Sequence, residues 1–203
     1  MNITKWRDVL RRFAGRGVYP YELAFVLESP LRNFILSPRK LADHLHLSTP
    51  AAVLEIGPGP GFFSAEVARR IPSGRLVLFD IQYQMLEKSR AKLKRADVSN
   101  YLLVQGSAVR LPFRPRVFDV VFLVTVLGEV PQPRECLGDI SHVLRPGGIL
   151  SVTEQRGDPD ALSQHELLQL AEECGFEFLE QFSFFGGFTL NLRRVSSVEV
   201  MAG

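Results

Sequence analysis

Two rhythms of apolar residues alternate along this chain. Val53–Ile56, Arg75–Asp80, Tyr101–Gln105, Val117–Val124 and Ile149–Glu154 are compact, β-branched apolar runs of strand length. Between them Phe62–Arg70, Tyr83–Arg95 and Pro133–Leu144 place apolar residues at helical spacing, and Ser163–Cys174 does so after the fifth run. That alternation predicts an α/β protein with a doubly wound parallel sheet covered by helices on both faces. The boundaries carry their own signals. Pro133 suits a first helical turn, where its missing N–H has no helical partner, and Ser37-Pro38 opens an earlier helix in the same way. Arg145-Pro146-Gly147-Gly148 predicts a helix stop with a left-handed cap. Ser163 followed by Glu166 predicts a capping box, and Gly175 the end of that helix. Phe178–Phe185 and Phe188–Arg194, joined by Gly186-Gly187, predict a terminal hairpin whose last strand runs antiparallel to its neighbour.

Composition narrows the class. At 203 residues the chain suffices for one domain with a sizeable core, and its net charge is only +2. The basic residues are spread along the chain and not gathered with aromatics, which argues against nucleic acid as a partner. No apolar run reaches bilayer-spanning length and Met1–Arg12 lacks the apolar core of a signal peptide, so a cytoplasmic protein is expected. Cys136 and Cys174 read as reduced, packed thiols, and the dispersed His44, His46, His142 and His165 suggest no metal site. Lys5, Arg7, Arg11, Arg12 and Arg16 interleave with Ile3, Trp6, Val9, Leu10 and Phe13, the pattern of a basic amphipathic helix. Such a helix either packs on its own domain or rests on an anionic membrane.

The densest chemistry lies in Val53-Leu54-Glu55-Ile56-Gly57-Pro58-Gly59-Pro60-Gly61-Phe62-Phe63-Ser64, where an apolar strand passes through an acid into alternating glycines and then a helix. Glycine permits a tight turn and lets backbone N–H groups approach a ligand. A dinucleotide fingerprint requires a third glycine at position 62, where Phe62 stands, so a nicotinamide cofactor is disfavoured. Taken alone the loop fits an ordinary strand-to-helix turn equally well. Asp80 ends the second strand, where doubly wound folds place an acid that accepts from ribose hydroxyls; its other reading is a cap for the following helix.

Glu55-Ile56-Gly57-Pro58-Gly59-Pro60-Gly61, together with Val117-Phe118-Asp119-Val120-Val121-Phe122 and Leu144-Arg145-Pro146-Gly147-Gly148-Ile149-Leu150, resembles the class I S-adenosylmethionine-dependent methyltransferases of the UbiE-like (methyltransferase type 11) group. The likeness is strong over Ala51 to Glu154 and topological beyond. It implies a Rossmann-like sheet of seven strands in the order 3-2-1-4-5-7-6 with strand 7 antiparallel, preceded by N-terminal helices. It divides the chain into a helical lid or substrate segment, 1–50, and a cofactor-binding core, 51–203. The implied cofactor is S-adenosylmethionine, leaving as S-adenosylhomocysteine. Glu55, Gly57, Pro58, Gly59, Gly61 and Phe62 would form the loop under its methionine part, Asp80 with Ile81 and Gln82 would hold ribose and adenine, and Val124 with Thr125 would flank the sulfonium. Where the group shows Gly-Asp-Ala this chain has Gly106-Ser107-Ala108, so Ser107 and Ala108 would meet the adenine without a charge. Asp119 reads as structural.

The resemblance leaves the acceptor open. Relatives commonly carry histidine where Gly128 sits, and Glu129 is the ionisable group on that turn, either as a catalytic residue or as a helix-start cap. Glu154, Gln155, Tyr19 and Tyr21 can reach the pocket mouth, and Tyr19, Tyr21 and Phe25 suggest an apolar wall that binds substrate. Three readings follow. The first is methyl transfer to a small-molecule or lipophilic acceptor, needing alignment more than a catalytic triad. The second is a lipid or quinone methyltransferase in peripheral contact with a membrane surface. The third is a regulatory module that binds S-adenosylmethionine without turnover, motivated by the uncharged Ser107.

Overall fold

The computed structural model describes residues 36–155 and 158–195. Tyr19, Tyr21, Phe25 and the basic N-terminal pattern lie outside these residues. The described chain opens with α1 (Pro38–His44), β1 (Ala52–Ile56), α2 (Ser64–Arg70), β2 (Arg75–Asp80), α3 (Tyr83–Arg95), β3 (Tyr101–Gln105) and β4 (Phe118–Val124). A 3-10 turn (Leu127–Glu129) then leads to α4 (Pro133–Val143), β5 (Leu144–Gln155), α5 (Gln164–Glu173), β6 (Phe176–Phe184) and β7 (Gly187–Arg194). The strands form one sheet in the order β3-β2-β1-β4-β5-β7-β6. β1 to β5 are mutually parallel, and β7 runs antiparallel to both β5 and β6. The expected topology is therefore the observed one.

Local chemistry sets the element ends. The Ser37 hydroxyl accepts from the Lys40 N–H, with Pro38 in the first turn of α1. Ser163 and Glu166 form both halves of the capping box that starts α5. Gly175 takes φ +81° two residues after the end of α5, and Gly186 takes φ +82° in the turn before β7. Most ends fall within two residues of the expectation, and two departures have a clear structural cause. α2 begins at Ser64 and not Phe62, because Gly61 at φ +76° keeps the chain turning through Phe63. The Arg145–Gly148 run is not a helix cap. Leu144 turns extended and pairs with Phe118, and the register resumes at Val120 with Ile149, so Gly147 at φ +76° lies inside an irregularity of β5.

Two apolar layers sandwich the sheet, as a parallel sheet requires. Leu54, Ile56, Val121, Leu123, Leu150 and Val152 pack with α4 and α5 residues such as Leu137, Ile140 and Leu167. Val53, Leu76, Leu78, Val120 and Phe122 pack with α1, α2 and α3 through Leu41, Val67 and Leu93. Helix α1 is held to the sheet by Asn191, whose amide donates to the His44 carbonyl at 2.6 Å. At the opposite end from the glycine loop, Asp119 accepts the Ala52 N–H at 2.8 Å and pairs with Arg145, fastening the starts of β1, β4 and β5. Asp119 is thus structural. Cys136 is buried and Cys174 half-buried, and neither forms a disulfide. No described helix is long and apolar enough to cross a membrane.

Candidate active site

The sheet order reverses between β1 and β4, and crevices at such a reversal, beyond the carboxyl ends of the strands, are where open α/β sheets bind ligands. The glycine loop leaves β1 at this point. Gly57, Gly59 and Gly61 have φ of +66°, +55° and +76°, a conformation that side chains other than glycine adopt at a cost. A Cβ on Gly57 would stand 2.4 Å from a methyl of Val126, so the β4 exit packs directly on the loop. The Gly57 N–H donates to the Phe79 carbonyl at 2.8 Å, and Gly61 N–H closes the turn onto the Pro58 carbonyl at 3.0 Å. Ser89, on the buried face of α3, donates to the Gly59 carbonyl at 2.8 Å, and its Cα lies 3.0 Å from where a Gly61 Cβ would be. Ser89 escaped the sequence reading; a lone hydroxyl among Met85, Leu86 and Leu93 on one helix face was the available signal.

Glu55 is buried and accepts the Ser64 hydroxyl at 2.5 Å, so it joins the end of β1 to the start of α2 across the loop. Pro58 is buried in the loop, and Phe62 packs edge-on against Phe63. Asp80 ends β2 beside them and is buried. One carboxylate oxygen accepts the Gln82 N–H at 2.8 Å, and the other lies 3.4 Å from the Gly59 N–H. The two sequence readings of Asp80 therefore coexist: it starts α3 and it faces the glycine loop. Burial pushes its carboxyl up to about 6, against the lowering effect of the Gln82, Gly59 and Ile81 N–H groups. At neutral pH it remains largely ionised, and the long Gly59 contact leaves one oxygen able to accept from a ligand hydroxyl.

Ile81 is 49% exposed beside Asp80, and Gln82 precedes α3 without a side-chain cap contact. Ser107 is exposed just past β3, in a turn where its carbonyl accepts from Arg110, while Ala108 is half-buried against the core. Val124 is buried at the end of β4. Thr125 follows in the left-handed region at φ +54°, rare for a β-branched residue, with its N–H donating to the Thr153 carbonyl at 2.8 Å. Glu129 closes the 3-10 turn and is half-buried.

A further acid lies beneath that turn. Glu154, at the carboxyl end of β5, is 2% exposed and accepts the Gly128 backbone N–H. Burial, then Asp158, with Glu129 adding to it, pushes its carboxyl up to about 8. The sequence placed it at the pocket mouth but gave no ground for preferring it over Gln155. An acid closing the apolar run Ile149-Leu150-Ser151-Val152-Thr153 was the sign.

The left-handed glycine cradle and the buried, partly available Asp80 carboxylate suit an adenosyl ligand with paired ribose hydroxyls. A family model described as a methyltransferase domain matches residues 54–152. Over these residues the chain is similar to class I methyltransferases of the UbiE-like group. The ubiquinone/menaquinone biosynthesis C-methyltransferase UbiE of Pasteurella multocida is 38% identical over 104 residues, 50% of this chain and 39% of that protein. The demethylmenaquinone methyltransferase of Lactococcus lactis is 35% identical over 101 residues, 49% of this chain and 40% of that protein. The match thus spans about two fifths of the length of these relatives. Among solved structures, a SAM dependent methyltransferase from Aquifex aeolicus superimposes with a TM-score of 0.82 at 18% identity, over 88% of this chain and all of that one. The [4+2]-cyclase SpnF does so with a TM-score of 0.70 at 19% identity, over 79% of this chain and 81% of its own. At such identities these two likenesses concern the fold, and the methyltransferase domain evidently shares that fold with a cyclase. S-adenosylmethionine is the cofactor of the domain's family.

Proposed function

We propose that the chain is an S-adenosylmethionine-dependent methyltransferase acting on a small lipophilic acceptor of the quinone type. The observation that carries this is the pairing of the left-handed Gly57–Gly61 cradle with the buried Asp80 carboxylate at the carboxyl edge of a methyltransferase domain. The activities of the Pasteurella and Lactococcus relatives support the acceptor class.

In this reading the chain's residues mainly position. When bound, S-adenosylmethionine supplies a methyl already activated on a cationic sulfur. The glycine loop, whose three glycines carry no side chains to fill the space above it, lies under the methionine part, the hydroxyl-accepting Asp80 takes the ribose, Ile81 covers the adenine, and Ser107 with Ala108 line its edge. Val124 and Thr125 form the wall beside the reacting atoms, fixing the direction of approach. Exposed apolar groups frame the same edge of the sheet: Ile81, Tyr83 at 52% and Phe185 at 91% exposure, the last at the β6–β7 turn beside Gln155. A lipophilic acceptor gains from such surroundings. The proposed lid role of the 1–50 segment falls to the residues before α1, which itself packs on the sheet, and Tyr19, Tyr21 and Phe25 are the proposed acceptor-binding residues. Its basic pattern supports peripheral contact of a cytoplasmic protein with an anionic membrane, where such acceptors partition.

The test is calorimetric titration with S-adenosylmethionine, S-adenosylhomocysteine and NAD, followed by incubation with reduced naphthoquinols and mass detection of a methyl gain. Adenosyl binding without NAD binding, then methylation, is expected. Absence of adenosyl binding would remove the reading, and binding without transfer to any acceptor would favour the regulatory module. Salt-sensitive co-sedimentation with anionic vesicles checks the membrane contact.

A further inference from the structure

Glu154 is a buried acid that the foregoing chemistry leaves unused. It lies at the carboxyl end of β5, on the edge to which the proposed function assigns the acceptor, and on the same face of the strand as Val152. Its carboxyl accepts the Gly128 N–H, yet Oε1 is buried with no hydrogen-bond partner among the described residues. A buried carboxyl oxygen without a protein partner is destabilising unless it meets water or a ligand, so this oxygen is open to a polar group that enters the site. The surroundings explain how it is held. On β7 it faces Phe188, and on β4 the neighbouring level is Val124 and Thr125, none of them ionisable. The charged groups acting on it are Glu129 from the 3-10 turn and Asp158 from the segment after β5, both acids. That segment closes tightly on the turn, the Asp160 carbonyl standing 1.9 Å from where a Cβ on Gly128 would be.

We propose that Glu154 is a catalytic residue of this site: Oε1 accepts a hydrogen bond from the acceptor's ring hydroxyl and takes its proton as the methyl is transferred. The inference rests on the methyltransferase reading above. The O–H electron pair moves into the ring, a bond forms between ring carbon and methyl, and the methyl–sulfur bond breaks, its electrons remaining on sulfur. The ring carbon then loses its hydrogen as a proton while the oxygen regains one from Glu154. One methyl is gained and one proton released, with no oxidant or reductant consumed. Burial and the two acid neighbours make Glu154 a stronger base than an ordinary carboxylate, with a proton affinity near the working pH, which favours general base catalysis.

The experiment compares wild type, Glu154→Gln and Asp158→Asn with S-adenosylmethionine and a short-chain 1,4-naphthoquinol under anaerobic conditions. In wild type, kcat should rise with pH through about 8. Glu154→Gln keeps an acceptor for Gly128, and should lower kcat roughly 100-fold or more, abolish that pH limb, and leave S-adenosylmethionine affinity unchanged. Asp158→Asn removes a like charge and should move the limb to lower pH. Wild-type kcat and pH limb in Glu154→Gln would overturn the role, as would a limb indifferent to Asp158→Asn. Infrared difference spectra give a readout without turnover. The protonated-carboxyl band lost in Glu154→Gln should shift when the naphthoquinol is added to the S-adenosylhomocysteine complex, and an unmoved band would overturn the proposal. Failure of wild type to bind either adenosyl ligand would instead remove the methyltransferase reading itself.

Discussion

The two halves of the sheet edge are built on opposite principles. Around β1 and β2 the polar groups are bound within the chain: Glu55 by Ser64, Asp80 by the Gln82 and Gly59 N–H groups, the Gly59 carbonyl by Ser89. Around β4 and β5 the chain carries a left-handed threonine and a buried carboxyl with an oxygen that no described residue satisfies. The first half is prepared for a ligand of constant shape, which it meets largely with backbone. The second stores strain and an unmet hydrogen bond, as sites do when the ligand completes them. On the proposed function, the contrast would place the cofactor at one half and the acceptor at the other.

Exchanging glycines across the two halves tests the contrast most severely. Gly57→Ala forces a methyl group into Val126 at a left-handed residue and should cost about 2–4 kcal/mol of stability with loss of S-adenosylmethionine binding. Gly128→Ala meets the Asp160 carbonyl and should impair turnover while leaving cofactor affinity within a few-fold. Urea unfolding and calorimetry on both variants separate the outcomes, and equal damage to cofactor binding would dissolve the division. Asp80→Ala should weaken the cofactor by about 1–3 kcal/mol. Because the ionised carboxylate is the better acceptor, affinity should fall as pH drops through about 6, by at most about tenfold per pH unit.

Stability against pH sharpens the other half. Glu154 is protonated in the folded protein where an ordinary glutamate is already ionised, so the folded state binds the extra proton. Folding stability therefore declines as pH rises from the usual glutamate range through about 8. Glu154→Gln should remove that decline, raising the melting temperature at pH 8.5 by roughly 4–8 °C, for about 2 kcal/mol in a domain of this size, with a smaller gain at pH 6. The smallest effect belongs to Phe185→Ser at the exposed turn: within about 0.5 kcal/mol in stability, but a higher KM for long-tailed acceptors than for short ones.

The legibility of the sequence follows the same division. Alternating apolar rhythm, the Ser163 capping box, the Gly186-Gly187 turn and the glycine loop are local signals, and each stands where the residues place it. Asp80 was visible because its distance along the chain from the loop is set by one βαβ unit. Ser89 and Glu154 act through contacts across 30 and 26 residues respectively, with Gly59 and Gly128, and no local pattern encodes such a meeting. The β5 irregularity was hidden for the same reason: Arg145-Pro146-Gly147-Gly148 reads as a helix stop, and only the pairing of Leu144 with Phe118 makes it part of a strand.

Asp119 carries a consequence for how ligands come and go. By joining the starts of β1, β4 and β5 far from the glycine loop, it ties together the strands on which both halves of the site are built. That end of the sheet is pinned by a side-chain tie added to the backbone ladder. On the proposed function, traffic would then be governed from above, by the segments assigned to the lid. Replacement of those segments would retune which molecules enter, and how long they stay, without disturbing the platform on which the chemistry is aligned.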